Sequence, residues 1–160
     1  MTNREIAAIL FNISTILSAQ NGNPYRIRAY RRAARNLLRA RHSVAERVAT
    51  GRPLGVPQLG KSLTAKISTL AQKDALPFYE ALCDELPSPQ RTLLKMNVRG
   101  LGPTIAARIH KDLGDFDSAG LRRAAATGQL QRVWGIGPKR VAAILDAVGG
   151  AEIRQERLDF

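Results

Sequence analysis

Val98-Arg99-Gly100-Leu101-Gly102-Pro103 recurs 35 residues further along the chain as Val133-Trp134-Gly135-Ile136-Gly137-Pro138. Apolar residues at helical spacing follow each copy, so each copy is predicted to be a tight turn that opens a helix. The first glycine permits a positive φ, and the second lets the backbone approach a neighbour closely. The proline suits the first turn of a helix, where its missing N–H is not needed. The repeat therefore predicts one local structure used twice.

These turns favour anions because a helix N-terminus carries unpaired backbone N–H groups and a partial positive charge. The predicted phosphate contacts are the turn glycines and the residues that open the following helices: Gly100, Gly102, Thr104, Gly135, Gly137, Lys139 and Arg140. A lone Gly-x-Gly turn is more often only a tight corner. Two copies on a basic chain favour a phosphate-rich ligand instead.

A third and weaker copy lies upstream as Val56-Pro57-Gln58-Leu59-Gly60-Lys61. Gln58 stands where the first glycine is expected, which leaves the turn geometry and the anion affinity of this copy open. Gly60 and Lys61 are predicted to contact phosphate at the start of the next helix.

The charge of the chain is strongly basic. Its 160 residues include 25 Lys and Arg against 13 Asp and Glu, which gives a formal net charge of +12. Such an excess favours a polyanionic partner through steering and counterion release, and a basic surface kept only for solubility is the alternative. No stretch reads as a membrane span or a signal peptide, so we expect a soluble cytoplasmic protein, nucleoid-associated if bacterial, with no membrane partner.

Helical periodicity runs through almost the whole chain, and no alternating strand pattern of useful length appears, so the predicted fold class is all-α. Pro87-Ser88-Pro89 interrupts the pattern because each proline disfavours helix at the residue before it. The predicted organisation is a small helical domain over residues 1–86, a domain with the two strong turns over residues 87–150, and a polar C-terminal tail over residues 151–160.

The turns resemble those of helix-hairpin-helix proteins, which bind the DNA backbone without reading base sequence. Two copies joined by a connector helix, predicted here over residues 117–126, are similar to the double unit that grips both strands of a duplex. In that family, carbonyls flanking the turn hold a monovalent cation that bridges to a phosphate. No cofactor is required, but the resemblance implies sites for Na⁺ or K⁺ on backbone carbonyls of four residues: Val98, Leu101, Val133 and Ile136.

A second basic feature is the helix predicted from Pro24 to about Arg41, which holds seven arginines and no acidic residue. No carboxylate on neighbouring turns relieves their repulsion, so an external anion is the natural partner, and a solvated charged face is the alternative. The predicted DNA contacts on this helix are Arg26, Arg28, Arg31 and Arg35.

The segment Asn23-Pro24-Tyr25-Arg26-Ile27-Arg28-Ala29-Tyr30-Arg31-Arg32-Ala33-Ala34 resembles the N-terminal part of family X DNA polymerases, which are DNA polymerase beta-like. The resemblance extends over about residues 3–148. In that family, a small lyase domain removes the 5′-deoxyribose phosphate left at an incised abasic site. The resemblance implies that Lys66 is the Schiff-base nucleophile, that Tyr30 lines its pocket and that Arg26 holds phosphate.

Two further positions depart from that family. Tyr25 stands in place of a histidine, and Ser62 stands in place of a phosphate-binding lysine. A basic residue lying near DNA without catalysing a reaction is the alternative interpretation of Lys66.

The sequence shows no clustered carboxylates of the kind that hold the two metal ions of a polymerase, so the chain is predicted not to polymerise DNA. One group of three aspartates comes nearest to such a cluster, but a helix end and a helix cap explain these residues better. Its members are Asp112, Asp115 and Asp117.

The leading hypothesis is a sequence-independent DNA-binding protein of DNA repair, a monomer that takes duplex, gapped or nicked DNA. The first alternative is an abasic-site or 5′-deoxyribose-phosphate lyase. The second is a non-catalytic scaffold that docks a repair polymerase or nuclease. RNA binding stays open because backbone-directed turns discriminate poorly between duplex types. Trp134 is predicted to pack its turn against the core rather than to stack on a base.

Overall fold

The structure is a computed structural model that describes residues 1–96, 98, 100–114 and 117–158, with the backbone alone for Ser88, Pro89 and 150–158. This part of the chain contains no strand, and the predicted all-α fold is confirmed. Its helices are α1 (Asn3–Ala19), α2 (Pro24–Arg39), α3 (Val44–Ala49), α4 (Lys61–Lys73), α5 (Pro77–Asp84), α6 (Ser88–Lys95), α7 (Pro103–Leu113), α8 (Ser118–Ala126) and α9 (Pro138–Leu158), with a 3₁₀ turn at Leu130–Arg132.

The chain divides into two compact units, Met1–Leu82 and Cys83–Phe160. The proline break predicted a boundary after Leu86, a few residues further on. Hydrogen bonds explain why the residues before the prolines belong with the second unit. Arg91 Nη2 on α6 donates to Asp84 O at 2.9 Å and to Leu86 O at 3.1 Å, and Lys95 Nζ lies 3.1 Å from Asp84 Oδ1.

The first unit is built on α1 and α2, which pack along each other. Apolar residues at spacings of three and four give each helix one buried side, which is why this sequence favours helices over strands. The largest fully buried side chains of the unit are Ile6, Leu10, Ile13, Ile16, Leu37, Ile67 and Leu70.

The start of α2 is fixed locally by its first residues. Asn23 Oδ1 accepts a hydrogen bond from the Tyr25 N–H at 2.9 Å, and Pro24 takes the first helical position. A side-chain cap of this kind stabilises a helix by about 1 kcal/mol. The cap fixes the residue at which α2 begins, and with it the positions of the arginines along the helix.

The second unit has its own apolar core, formed by α6 to α9 and the 3₁₀ turn. Asp117 begins α8 by accepting a hydrogen bond from the Gly120 N–H at 2.7 Å, so the predicted cap and the connector helix are both present. The fully buried side chains include Leu93, Ile109, Leu121, Leu130, Ile144 and Val148. Asp115 lies outside the described residues.

The C-terminal segment, predicted as a polar tail over residues 151–160, is helical as far as Leu158, where α9 ends. Alanine, glutamate, arginine, glutamine and leucine are strong helix formers whatever their polarity, and they outweigh the Gly149-Gly150 pair. Nowhere among the described residues does a helix combine the length and the apolar character needed to cross a membrane.

Candidate nucleic-acid interface

The two strong copies of the repeat form the same turn. Gly100 has a φ of 79° and Gly135 a φ of 89°, the left-handed value that the third position of a type II turn requires. The Leu101 N–H donates to Val98 O, and the Ile136 N–H donates to Val133 O, both at 3.1 Å. The matching hydrogen bonds and φ values confirm that the glycine spacing encodes a turn.

The apolar residue between the two glycines fixes each turn to the core. Leu101 is 3% exposed and Ile136 is 6% exposed, although both are flanked by glycines near the surface. Each therefore contributes to the buried cluster of the second unit. This anchoring holds Gly100 and Gly135 at the surface, where both glycines are exposed.

Each turn leads directly into a helix N-terminus. Gly102 is the N-cap of α7 and makes no side-chain cap hydrogen bond, and Gly102 O accepts from the Ala106 N–H at 3.0 Å. Gly137 stands in the same relation to α9, because Gly137 O accepts from the Val141 N–H at 3.1 Å. The second residues of the two helices, Thr104 and Lys139, are exposed. Helix N-termini that no side chain caps are favourable places for a phosphate.

One arginine joins the two turns. Arg140 Nε donates to Gly100 O at 2.7 Å, and Arg140 Nη1 donates to Gly135 O. A planar guanidinium presents its donors in a fixed fork, so both carbonyls are held at a set spacing. The two turns therefore lie side by side within the second unit. The sequence suggested a phosphate contact for Arg140, and its observed contacts are those of an internal brace.

The weak copy adopts the left-handed backbone without a glycine. Gln58 has a φ of 60°, and Gly60 is the N-cap of α4 with no side-chain cap. Asn36 Nδ2 on α2 donates to Pro57 O at 3.2 Å and anchors the turn from outside. Lys61 is the first residue of α4. Gln58 thus adopts the left-handed φ seen at Gly100 and Gly135, at the cost of a non-glycine residue in that region.

The arginines of α2 are open to a ligand. Arg26, Arg28 and Arg35 are exposed and Arg31 is half-buried. Within the described residues no carboxylate forms an ion pair with any arginine of α2, which agrees with the absence of acidic residues from that helix. These arginines form the largest group of positive charges in the first unit that no carboxylate compensates.

Lys66 sits in an aromatic cluster of the first unit. Its Nζ lies 4.9 Å from the centroid of the Phe78 ring and donates to Ser62 Oγ at 2.7 Å. Tyr30 stacks on Phe78, with ring centroids 6.4 Å apart and planes 7° from parallel. The Arg26 guanidinium carbon lies 5.1 Å from the Phe78 centroid and 6.0 Å from that of Tyr30. Three residues predicted from a resemblance, Arg26, Tyr30 and Lys66, are therefore neighbours.

Phe78 is the residue of this cluster that sequence reasoning missed. It is the second residue of α5, where a single aromatic beside Pro77 reads as ordinary core. Its position between Lys66 and Arg26 depends on how α5 packs, and no local sequence pattern predicts that packing. In the sequence, Ser62 stands out only as a departure from the family pattern, although its spacing of four residues from Lys66 puts both side chains on one face of α4.

Trp134 does not pack against the core. It is 75% exposed, while its neighbour Val133 is 2% exposed. Val133 and Ile136 already fill the core from this turn, which leaves the position between Val133 and Gly135 to point away from it. The prediction for Trp134 is wrong for this reason.

The turn carbonyls have the chemistry of a monovalent-cation site. Val98 O and Val133 O each accept one N–H within the turn, and a carbonyl oxygen has a second lone pair. Neutral carbonyl oxygens are ligands that suit an alkali cation. Across the described ranges, no group of three or more His, Cys, Asp or Glu residues could hold a metal ion.

Comparison with known proteins agrees with these features. Residues 1–76 match the family model of a helix-hairpin-helix domain. Over this first half the chain is similar to helix-hairpin-helix proteins, and over nearly its whole length it resembles the N-terminal region of a family X DNA polymerase. Among curated proteins it is similar to the DNA polymerase/3'-5' exonuclease PolX of Bacillus subtilis (strain 168), with 28% identity over 157 residues. That match covers 98% of this chain and 27% of PolX, so the chain spans little more than a quarter of the length of this relative.

Proposed function

We propose that this chain binds DNA through the sugar-phosphate backbone, without reading base sequence, and that it serves DNA repair. The observation that carries the proposal is the pair of left-handed glycine turns held side by side by Arg140. The helix-hairpin-helix domain and the similarity to a DNA polymerase support DNA as the ligand. The net charge of +12 supports a polyanion in general.

In this proposal each turn holds one phosphate. The phosphate oxygens accept hydrogen bonds from the backbone N–H groups that open α7 and α9, and the helix dipoles favour the negative charge. Lys139, exposed beside the second turn, adds a point charge. Na⁺ or K⁺ would be held by the carbonyls of Val98 and Leu101 at one turn and of Val133 and Ile136 at the other. The cation would supply positive charge between the turn and the phosphate.

The salt dependence of binding tests this function. A protein with about two phosphate contacts, one at each turn, loses roughly tenfold in affinity between about 50 and 200 mM salt. We expect a loss of that size for this chain, measured by fluorescence anisotropy on a labelled duplex. Two duplexes of unrelated sequence should bind equally, because phosphate contacts carry no sequence information. Binding that hardly changes with salt would contradict the phosphate mechanism.

A second candidate function, a 5′-deoxyribose-phosphate lyase, is favoured by the surroundings of Lys66. The Lys66 amine rests beside Phe78 and is oriented by the hydrogen bond to Ser62 Oγ. Arg26 lies over the same ring, and in this proposal its guanidinium holds the phosphate of an incised abasic site. An amine nucleophile, an aromatic wall and a cation in one cluster suit an open-chain sugar phosphate.

The reaction balances with these residues. The neutral Lys66 amine adds to the C1′ aldehyde and loses water, which forms an imine. A water molecule accepts a C2′ proton, the electron pair of that C–H bond forms the C2′–C3′ double bond, and the C3′–O bond breaks, so that the downstream strand leaves with its 5′-phosphate. Water hydrolyses the remaining imine, so the unsaturated sugar phosphate is released and the amine is restored. No metal ion is needed for these steps.

A further inference from the structure

The second turn carries an exposed indole ring, and the proposed phosphate contacts do not involve this ring. Trp134 is the single tryptophan of the chain and is 75% exposed. A large aromatic side chain is normally buried for most of its area, so a ring exposed to this degree has a face available to a ligand. Val133 and Ile136 anchor the turn without it.

The ring is held by a neighbouring cation. The Arg108 guanidinium carbon on α7 lies 4.3 Å from the centroid of the Trp134 ring, a distance typical of a cation–π contact. Arg108 also lies against the turn itself, because its Nη1 is 3.1 Å from where a Cβ on Gly135 would stand. The exposure of 75% means that this contact covers only part of the indole. The contact with Arg108 thus orients the indole ring and leaves most of it exposed to solvent.

The surroundings of the ring favour a nucleobase over an apolar protein segment. Arg108 is in contact with the ring, Arg140 with the adjoining Gly135, and Lys139 is exposed on the first turn of α9. A partner that covers Trp134 must therefore accept positive charge at its edges. A base attached to a phosphate supplies an aromatic face and a negative charge together, and base–aromatic stacking tolerates any base.

We propose that Trp134 stacks on an unpaired nucleobase at a gap, nick or single-stranded end, while the neighbouring helix N-terminus holds a phosphate of the same strand. This inference rests on the proposed DNA-binding function and adds the form of DNA that is preferred. A continuous duplex offers its base faces only to neighbouring bases, so the ring finds a stacking partner only where pairing is interrupted. The preference for interrupted DNA comes from this one side chain.

The sole tryptophan makes the test direct. The full chain is titrated with a duplex that carries a gap of five nucleotides and with a dumbbell duplex closed by polyethylene glycol linkers, which has neither ends nor unpaired bases. Indole fluorescence reports stacking, and anisotropy of labelled DNA reports binding independently. Stacking predicts quenching with gapped DNA only, and roughly tenfold tighter binding of gapped DNA than of the dumbbell.

Two variants separate stacking from other roles. Trp134→Ala should remove the tenfold preference and leave dumbbell affinity unchanged, and Trp134→Phe should keep most of the preference because it retains an aromatic face. Equal gapped-to-dumbbell ratios in the wild type and Trp134→Ala would overturn the inference. An equal loss for both DNAs in Trp134→Ala would also overturn it, because the ring would then contact paired DNA. Failure of the wild type to bind either DNA would instead overturn the proposed function.

Discussion

Replacement of Gly135 by alanine is expected to lower the free energy of unfolding by about 1–3 kcal/mol and to weaken DNA binding at least roughly tenfold. The φ of 89° is unfavourable for any residue with a Cβ. The added Cβ would also lie 3.1 Å from Ile105 Cδ1 and 3.1 Å from Arg108 Nη1, so the ends of these side chains, or the turn itself, must give way slightly. The turn would then leave the position in which Arg140 holds it. Urea unfolding and DNA anisotropy measure the two effects.

Gly128 provides a matched control in the same unit. Its φ is 79°, and a Cβ at this position would meet nothing within 4 Å. Gly128→Ala should therefore cost the backbone strain of about 1 kcal/mol and leave DNA affinity unchanged. If Gly128→Ala weakened binding as much as Gly135→Ala, then loss of stability and not loss of turn geometry would explain both variants. That outcome would count against the turns as the binding site.

Lys66→Ala is expected to abolish covalent trapping on abasic DNA. Borohydride reduces the imine between the lysine amine and C1′ to a stable secondary amine, so a trapped adduct reports the nucleophile itself. The measurement is the amount of protein–DNA adduct formed on an incised abasic duplex. The effect should be complete, because alanine has no amine to offer.

Lys61→Ala is the control for Lys66. Lys61 opens the same helix and is a predicted phosphate contact, so its removal should weaken binding but leave the adduct intact at saturating DNA. An undiminished adduct in Lys66→Ala would exclude Lys66 as nucleophile. No adduct with the wild type would exclude the lyase function, and DNA binding with its salt dependence would be unaffected by that result.

The sequence predicted best those features that depend on local chemistry. The turns at Gly100 and Gly135 follow from residues next to each other, because a glycine at the third position and a proline after the second glycine leave the backbone few choices. The all-α fold follows from periodicity in the same way. Tyr30, Arg26 and Lys66 came from a resemblance, and the structure brings them together around a residue that the resemblance did not supply.

Features that depend on packing were missed. Gln58 takes a left-handed φ in a turn that Asn36 anchors from α2, and no rule about glycine predicts that support. Arg140 reaches Gly100, which lies 40 residues earlier in the chain. Phe78 meets Lys66 only because α5 packs where it does. Trp134 was assigned to the core because apolar rings are usually buried, although Val133 and Ile136 already fill that space.

A titration of the backbone N–H resonances of this chain with a continuous duplex tests the central claim most directly. Phosphate held at the two helix N-termini predicts that the largest shifts fall on Gly102, Thr104, Gly137 and Lys139, and that both turns shift together at the same DNA concentration. The resonance of Gly128, which belongs to the same unit but to neither turn, should stay unchanged. Shifts that spare both turns, or that reach one turn only, would contradict a paired phosphate site.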